Sequence, residues 1–386
     1  MKLTVINDSR PPSGSVLSGI FSPFLRIDFL QFFPMVFLLS VGLFYIYSTG
    51  QQFGGIPDIW ERQLRYIIIG FAIWGILAYT DYRLLAQWAA VLYSLAVISL
   101  VLVLFFGTYR YGARRWFSVF GIFSVQPSEF AKIATLIMSA WIFSLRKFNL
   151  HNLKHLAGLL MVTFVPFFLI YKEPDLGSSI TLIPVAAAML FAGRIKWKWI
   201  LIAVIAAMVM IPSIYPFLKD YQKERILVFL DPARDPNNKG WNSRQSQLAV
   251  GSGAFLGKGI GNSTQSTLGF LPKTVANSDF IFSVIAEETG FVGASAILLC
   301  YWLIIFSAFR TAAIAVDDFG KYLAVGIGIL IFVHSLVNIG MTIRLMPVTG
   351  LPLPLVSLGG SFVVSTMISL GILQSIYIRA KRNDAA

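Results

Sequence analysis

Apolar runs long enough to cross a bilayer recur along this chain, and nothing else in it constrains the fold as strongly. Counting stretches near the roughly 20 residues that a spanning helix needs gives ten, at 29–48, 64–80, 84–106, 129–145, 155–171, 177–193, 197–217, 280–309, 321–342 and 353–378. In hydrocarbon every backbone N–H and C=O must be paired within its own segment, so such runs predict helices. The expected fold is an all-α polytopic membrane protein of about ten transmembrane helices. Only 13% of the residues are charged and 56% are hydrophobic, against about 25% charged in soluble domains. The net charge of +13 therefore has no soluble basic face to occupy, which argues against a nucleic-acid partner. Cys300, the one cysteine, lies in an apolar run; it reads as a small buried hydrophobe, with no disulfide or thiolate-metal framework.

An even number of spans puts both termini on one side. Fifteen Lys and Arg fall in the tails and short loops of that side, against eight in the short loops and helix mouths of the other. The positive-inside rule then makes both termini cytoplasmic. Residues 1–28 are polar, contain Pro11, Pro12 and Pro23, and read as a retained cytoplasmic tail, not a cleaved signal. Residues 29–378 form the membrane domain, and 379–386 a second short cytoplasmic tail. The segment 218–279, between the seventh and eighth helices, is a large outer loop; unstructured connections of that length are uncommon and usually functional.

The outer segments collect the polar chemistry. Between the third and fourth spans, Tyr111 to Lys132 carries Arg114, Arg115, Glu129 and Lys132. Gln126-Pro127-Ser128-Glu129 reads as a helix start, with Glu129 in the first turn where the dipole favours it. That cap does not account for two arginines on the side topology disfavours. A second turn, Lys172 to Gly177, holds Glu173 and Asp175, which either cap the sixth helix or face a cation or sugar; capping is the better reading for Asp175 alone. A third, Met346 to Pro354, leads through Ser357 to Gly359-Gly360. Its prolines and glycines predict a broken re-entrant segment lying against protein or a wet cavity.

In the long loop, Gly251 to Gly259 looks superficially like a phosphate loop. It fails on spacing, because Ser252 stands where the first glycine belongs and Gly259 where Ser or Thr should follow the lysine. These glycines are expected to let a short amphipathic element lie flat at the membrane surface. Asp279 then precedes an apolar run of about 30 residues, near 45 Å if straight. It is either the N-cap of that helix, as Asx residues commonly are, or a catalytic carboxylate. Helical spacing would place Ser283 and Glu287 on its face.

At these residues the chain resembles the SEDS proteins of bacterial cell-wall synthesis. The motifs GARRW with QPSEFAK, EPDLGSS, QSQLAVGSGAFLGKGIGNSTQS, SDFIFSVIAEETG, NIGM and PVTGLPLPLVSLGG occur in the family's order. The resemblance runs from about residue 28 to 380 and leans to the RodA-like, elongation-type branch over the FtsW-like one. It implies a ten-helix peptidoglycan glycosyltransferase that polymerises lipid II, with Asp279 the essential acid. It also implies a multi-pass protein of the bacterial inner membrane with its active site on the outer face. Partners implied are a class B penicillin-binding protein and other membrane proteins of the elongation complex. Arg115, Gln126, Pro127, Ser128, Glu129 and Lys132 match one family motif and Pro174 to Gly177 another. Gln245, Ser246, Gly251, Gly253, Gly257, Lys258 and Gly259 match the large-loop motif. Before Asp279 the sequence departs from the family: Lys273 to Ser278 is longer by two than the usual LPE–HTD spacing and lacks its Glu and His.

Polymerising a diphosphate-linked disaccharide needs a base for the acceptor hydroxyl and positive charge for the leaving diphosphate. Asp279 is the expected base of an inverting transfer. Arg115, Lys132 and Lys258 are the expected diphosphate contacts, with Arg114, Glu129, Asp175, Gln245, Ser246 and Ser357 as further substrate contacts. A divalent cation, Mg or Mn, is an expected assistant, and no organic cofactor is. A rival reading is a flippase of the lipid-linked precursor, which requires ionisable groups within the membrane; His334 is a thin candidate for that. A scaffold that only recruits a transpeptidase would tolerate loss of Asp279.

Overall fold

The computed structural model describes residues 27–384 apart from 53–58, 111–112, 120–122, 146–149, 151, 194, 196–197, 199–200, 202–219, 232–233, 236–238 and 272. All but two residues of the expected seventh span, 197–217, and most of the N-terminal tail lie outside the described residues. The fold is a helical bundle whose long elements are α1 (Phe29–Gln52), α2 (Ile59–Tyr79), α4 (Ala89–Phe106), α5 (Pro127–Ser144), α6 (Leu153–Lys172) and α7 (Leu176–Ala192), with the five-residue α3 (Arg83–Gln87) before α4. Four short helices follow, α8 (Asp220–Leu230), α9 (Lys239–Ser252), α10 (Thr264–Thr267) and α11 (Lys273–Ala276). Three long ones close the chain: α12 (Ile281–Ile314), α13 (Asp318–Thr342) and α14 (Gly360–Asp384).

Six of these, α1, α4, α6, α12, α13 and α14, are long and apolar enough to cross a membrane, and α7 is a shorter apolar helix. Their surroundings differ. In α13 and α14, 72% and 78% of the most apolar stretch is buried inside the protein, against 17% in α4 and α6. The first pair is the centre of the bundle, and it carries the polar side chains His334, Asn338 and Gln374, all buried. The second pair leaves apolar side chains such as Leu95, Phe105, Met161 and Phe164 exposed, as lipid-facing helices do. α14 packs along α2, and α12 along α13.

The fold is not all-α. Between α4 and α5 runs a small antiparallel sheet in the order β1 (Thr108–Arg110), β2 (Ala113–Val119), β3 (Phe123–Val125). Aromatic and β-branched residues at alternate positions suit a half-buried strand, a signal the ten-helix reading passed over. The sheet is tied to the bundle through Ser124: its N–H donates to Tyr66 Oη at 2.8 Å, and its carbonyl accepts from Ser361 Oγ at 2.8 Å.

The apolar run after Asp279 is not one straight helix. Gly290 interrupts α12 at φ 65°, ψ −159°. The freed backbone groups are paired by residues 254–259: Phe291 and Val292 donate to the carbonyls of Ala254 and Phe255, while Lys258 and Gly259 donate to those of Glu287 and Glu288. A break in a membrane helix is tolerated when another segment satisfies it in this way. Gly253 and Gly257 of the large-loop motif therefore serve close approach of two backbones. A Cβ on Gly257 would stand 2.1 Å from the Glu288 carbonyl, and one on Gly253 2.1 Å from that of Ala286. Below the seam Glu287, fully buried, accepts from Lys258 Nζ at 2.6 Å and from Thr264 N at 2.9 Å. Glu288 Oε2 accepts from Gly261 N at 2.9 Å.

The α6–α7 turn shows the two readings of its acids separating. Asp175 caps α7, accepting from Ser178 N at 3.1 Å. Glu173 holds the C-cap position of α6 through its backbone, but its side chain caps no helix: it is buried, and neither carboxylate oxygen finds a hydrogen-bond donor among the described residues. Burial first, and the neighbouring Asp175 second, push its carboxyl up to about 9 against the pull of Arg115.

Two substitutions test these features. Gly290→Ala places a side chain in a backbone region that is nearly glycine-only and 2.3 Å from Gly257 N. It should cost about 1–3 kcal/mol and lower the thermal midpoint of the purified protein, while Gly75→Ala, where a Cβ meets nothing within 4 Å, should not; equal midpoints would contradict the seam. Glu173 keeps a proton when folded that the unfolded chain loses above its ordinary value, so wild-type stability falls as pH rises toward 9. Glu173→Gln should therefore gain in midpoint over wild type from about pH 5 to about pH 8, and a pH-independent gap would contradict the assignment.

Candidate active site

Asp279 sits between α11 and α12, at the end of the bundle that carries the sheet. It does not cap α12: Phe280 holds the N-cap position, and no side chain bonds the first turn there. Because the helix begins after it, helical spacing does not carry its side chain onto the face of Ser283 and Glu287. Ser283 Oγ returns to the Phe280 carbonyl at 2.6 Å, and Glu287 faces Lys258.

The backbone leading to Asp279 is clamped from several directions. Leu358 N donates to the Asn277 carbonyl at 2.8 Å, and Ser357 Oγ to that of Ser278 at 2.5 Å. Asn338 Nδ2 donates to the Asp279 carbonyl at 3.0 Å and to Leu351 O at 2.7 Å. Thr49 Oγ1 reaches Asn277 Oδ1 from α1. Ser357 in turn accepts from Leu353 N at 2.8 Å. The irregular 343–359 segment is thus a brace that α13 and α2 hold in place, with Gln63 Nε2 donating to Ser357 O at 3.2 Å.

The carboxylate itself is half-buried. Burial pushes it up to about 6; the Ser278 hydroxyl and the Arg225 guanidinium pull it down, and Asp175 pushes it up further. Gly350, at φ 77°, brings its backbone against it: a Cβ there would lie 3.5 Å from Asp279 Oδ2. Arg225, from α8, donates through Nη1 to the adjacent Thr349 carbonyl at 3.1 Å. Asp279 and Arg225 therefore flank one turn, Thr349-Gly350, from two elements far apart in sequence.

The residues nominated from sequence are only partly gathered here. Asp175 acts on Asp279 electrostatically and is joined by Gln126 Nε2 at 3.3 Å and Arg115 Nη1 at 4.0 Å. Arg115 also donates to the Glu173 carbonyl at 2.8 Å and to that of Pro174. Arg114 is on the other face of β2, exposed, with Nη1 on Phe105 O at 2.9 Å. Lys132 lies inside the bundle, its Nζ 3.0 Å from Glu129 Oε1 and 3.1 Å from His334 Nε2. These three line a cavity of about 20 Å³ with Phe362 and Ser365, room for a single water. Lys258 is bound to Glu287 and Thr264 Oγ1. Gln245 and Ser246 are buried on α9, with Ser246 Oγ on Thr342 O at 2.9 Å. Ser357 serves the clamp. The three cations expected to share the diphosphate thus occupy three separate settings, each with its own acceptors.

Arg225 was not nominated from sequence. It lies in Lys223-Glu224-Arg225, a charge run that reads as a solvated helix face. Among the described residues no three His, Cys, Asp or Glu side chains come together to hold a metal.

The FTSW_RODA_SPOVE family model, described as "Cell cycle protein", matches residues 22–382. Peptidoglycan glycosyltransferase MrdB of Escherichia coli (strain K12) is 38% identical over 359 residues, which are 92% of this chain and 95% of that protein. The probable peptidoglycan glycosyltransferase FtsW of Trichlorobacter lovleyi is 35% identical over 360 residues, 90% of this chain and 92% of that one. A solved structure described as "Structural coordination of polymerization and crosslinking by a peptidoglycan synthase complex" has a TM-score of 0.78 at 28% identity, covering 92% of this chain and 98% of that chain. The crystal structure of the rod shape determining protein RodA from Thermus thermophilus has a TM-score of 0.67 at 25% identity, covering 92% and 97%. Motifs in family order, a helical bundle of the same shape and a match through nearly the whole chain lead to one statement: this protein belongs to the FtsW–RodA–SpoVE family.

Proposed function

We propose that this chain is a peptidoglycan glycosyltransferase that polymerises lipid II into β-1,4-linked strands at the outer face of the bacterial inner membrane during cell elongation. The reading extends the ten-span topology with both termini cytoplasmic, so that the sheet-bearing end and the segment 218–279 face outward. It is supported by relatives named as peptidoglycan glycosyltransferases. A class B penicillin-binding protein is the proposed partner, in keeping with a similar structure described as a synthase complex coordinating polymerisation and crosslinking. The observation that carries the proposal is Asp279: a half-buried carboxylate, released from helix capping, with its backbone clamped and the charge of Arg225 acting on it.

The chemistry follows from that placement. The Asp279 carboxylate takes the proton of the acceptor's GlcNAc 4-hydroxyl as that oxygen forms its bond to C1 of the donor MurNAc. The C1–O bond to undecaprenyl diphosphate breaks with its electron pair leaving on the phosphate, and the α-linked donor becomes a β link. A diphosphate leaves without a proton once its charge is balanced, so one carboxylate suffices. Glycosidases that expel a sugar alkoxide need two. The raised value of about 6 leaves Asp279 ionised at neutral pH yet more basic than an open-water carboxylate, which suits a general base.

The flippase reading gains one observation, the buried Glu129, Lys132 and His334 cluster in the bundle interior. The two readings part at Asp279→Asn. With purified lipid II the variant should fold and insert normally while its rate of strand formation falls by about 10²- to 10⁴-fold, the usual worth of a general base. Near-normal polymerisation by the variant would overturn the assignment, and transbilayer movement of lipid II in proteoliposomes that is lost in Glu129→Gln would favour the flippase. Activity of the wild type should also fall on acidification through about pH 6, where the base takes up its proton.

A further inference from the structure

We propose that Arg225 is the residue that receives the diphosphate of the lipid-linked substrate at this site, a role that rests on the glycosyltransferase reading. The chemistry demands positive charge within reach of the base, since the bond that forms and the bond that breaks share one carbon. The cations nominated from sequence do not meet that demand. Lys132 is enclosed with Glu129 and His334, Lys258 with Glu287 and Thr264, and Arg114 faces away on the outer side of its strand. Arg115 is bonded to two carbonyls of the α6–α7 turn and lies 4.0 Å from Asp175. It braces that turn.

Arg225 differs in what it flanks. Its Nη1 rests on Thr349 O at 3.1 Å, and the next residue, Gly350, is the one whose backbone abuts Asp279 Oδ2. The guanidinium and the carboxylate thus meet one turn at adjacent residues, Thr349 and Gly350. A Cβ on Gly350 would lie 3.5 Å from Asp279 Oδ2, in a left-handed backbone that favours glycine. A guanidinium presents a planar fork that matches phosphate oxygens two at a time. Half-buried beside an apolar bundle, it is screened less than a surface charge.

Before substrate arrives Arg225 and Asp279 offset each other's charge. When the diphosphate binds, the guanidinium's partner becomes the phosphate oxygens, and Asp279 is left as the base for the incoming hydroxyl. Arg225 therefore holds both the substrate's diphosphate and the released undecaprenyl diphosphate.

Binding of undecaprenyl diphosphate and of undecaprenyl monophosphate to the purified full-length chain in nanodiscs tests this, alongside lipid II polymerisation. Arg225→Ala should weaken diphosphate binding by about 10- to 100-fold, the range for a charge-assisted contact to a charged group, and narrow the preference for diphosphate over monophosphate. Arg225→Lys, which keeps the charge without the fork, should lose less and fold if the alanine variant does not. Asp279→Asn should bind the diphosphate at least as tightly as wild type while failing to polymerise. Unchanged diphosphate affinity in both Arg225 variants would overturn the role of Arg225 and leave the glycosyltransferase reading intact. Normal polymerisation by Asp279→Asn would overturn that reading instead.

Discussion

A carboxylate at the rim of an apolar bundle can be held still only if the irregular backbone around it is fully paired by protein, because lipid offers no partners. That pairing is what the rest of this structure depends on. Three consecutive carbonyls, of Asn277, Ser278 and Asp279, each accept from a different group: Leu358 N, Ser357 Oγ and Asn338 Nδ2. The donors come from the broken segment before α14 and from the C-terminal end of α13. Buried hydrogen bonds of this sort contribute little each when made and cost about 1–3 kcal/mol when one partner is left alone. Losing one donor would therefore cost more than making one bond gains, so the clamp holds the Asp279 backbone as a unit.

A second seam holds the approach to that site. α12 is interrupted at Gly290, and residues 254–259 supply the missing donors and acceptors. Glu287 and Glu288 are buried beneath the same loop and bind its lysine, its threonine and its amides. A buried unpaired carboxylate is costly, so the loop and the two acids require each other. Lys258 is thus accounted for by structure, and residues 254–264 of the long segment are fixed to α12.

Much of the architecture was legible because length and hydropathy encode it directly: the described long helices fall on the expected runs, and Gln126-Pro127 opens α5 as read. Asp279 was legible as a candidate through the resemblance to the SEDS family, because on local sequence alone an acid at the mouth of an apolar helix reads as readily as an N-cap. Its capping alternative could be settled only by seeing Phe280 in the cap position. The misses have physical causes. Strands of three to seven residues leave a faint periodic trace beside helical runs of about 20. A helix broken at one glycine keeps the same hydropathy as an unbroken one, so Gly290 was invisible until its dihedral angles were known. Partners such as Lys258 with Glu287 are 29 residues apart, and no spacing rule joins them. Arg225 hid in a run of charges, where the default expectation is a solvated face.

The central claim is that Asp279 is held as a poised base by burial, with Arg225 and Ser278 restraining the shift. Infrared difference spectra of wild type against Asp279→Asn, recorded across pH, report that carboxyl alone. The account predicts a protonated-carboxyl band that disappears with a midpoint near pH 6. A midpoint near the ordinary aspartate value of about 4 would show a carboxylate open to water, and would contradict it.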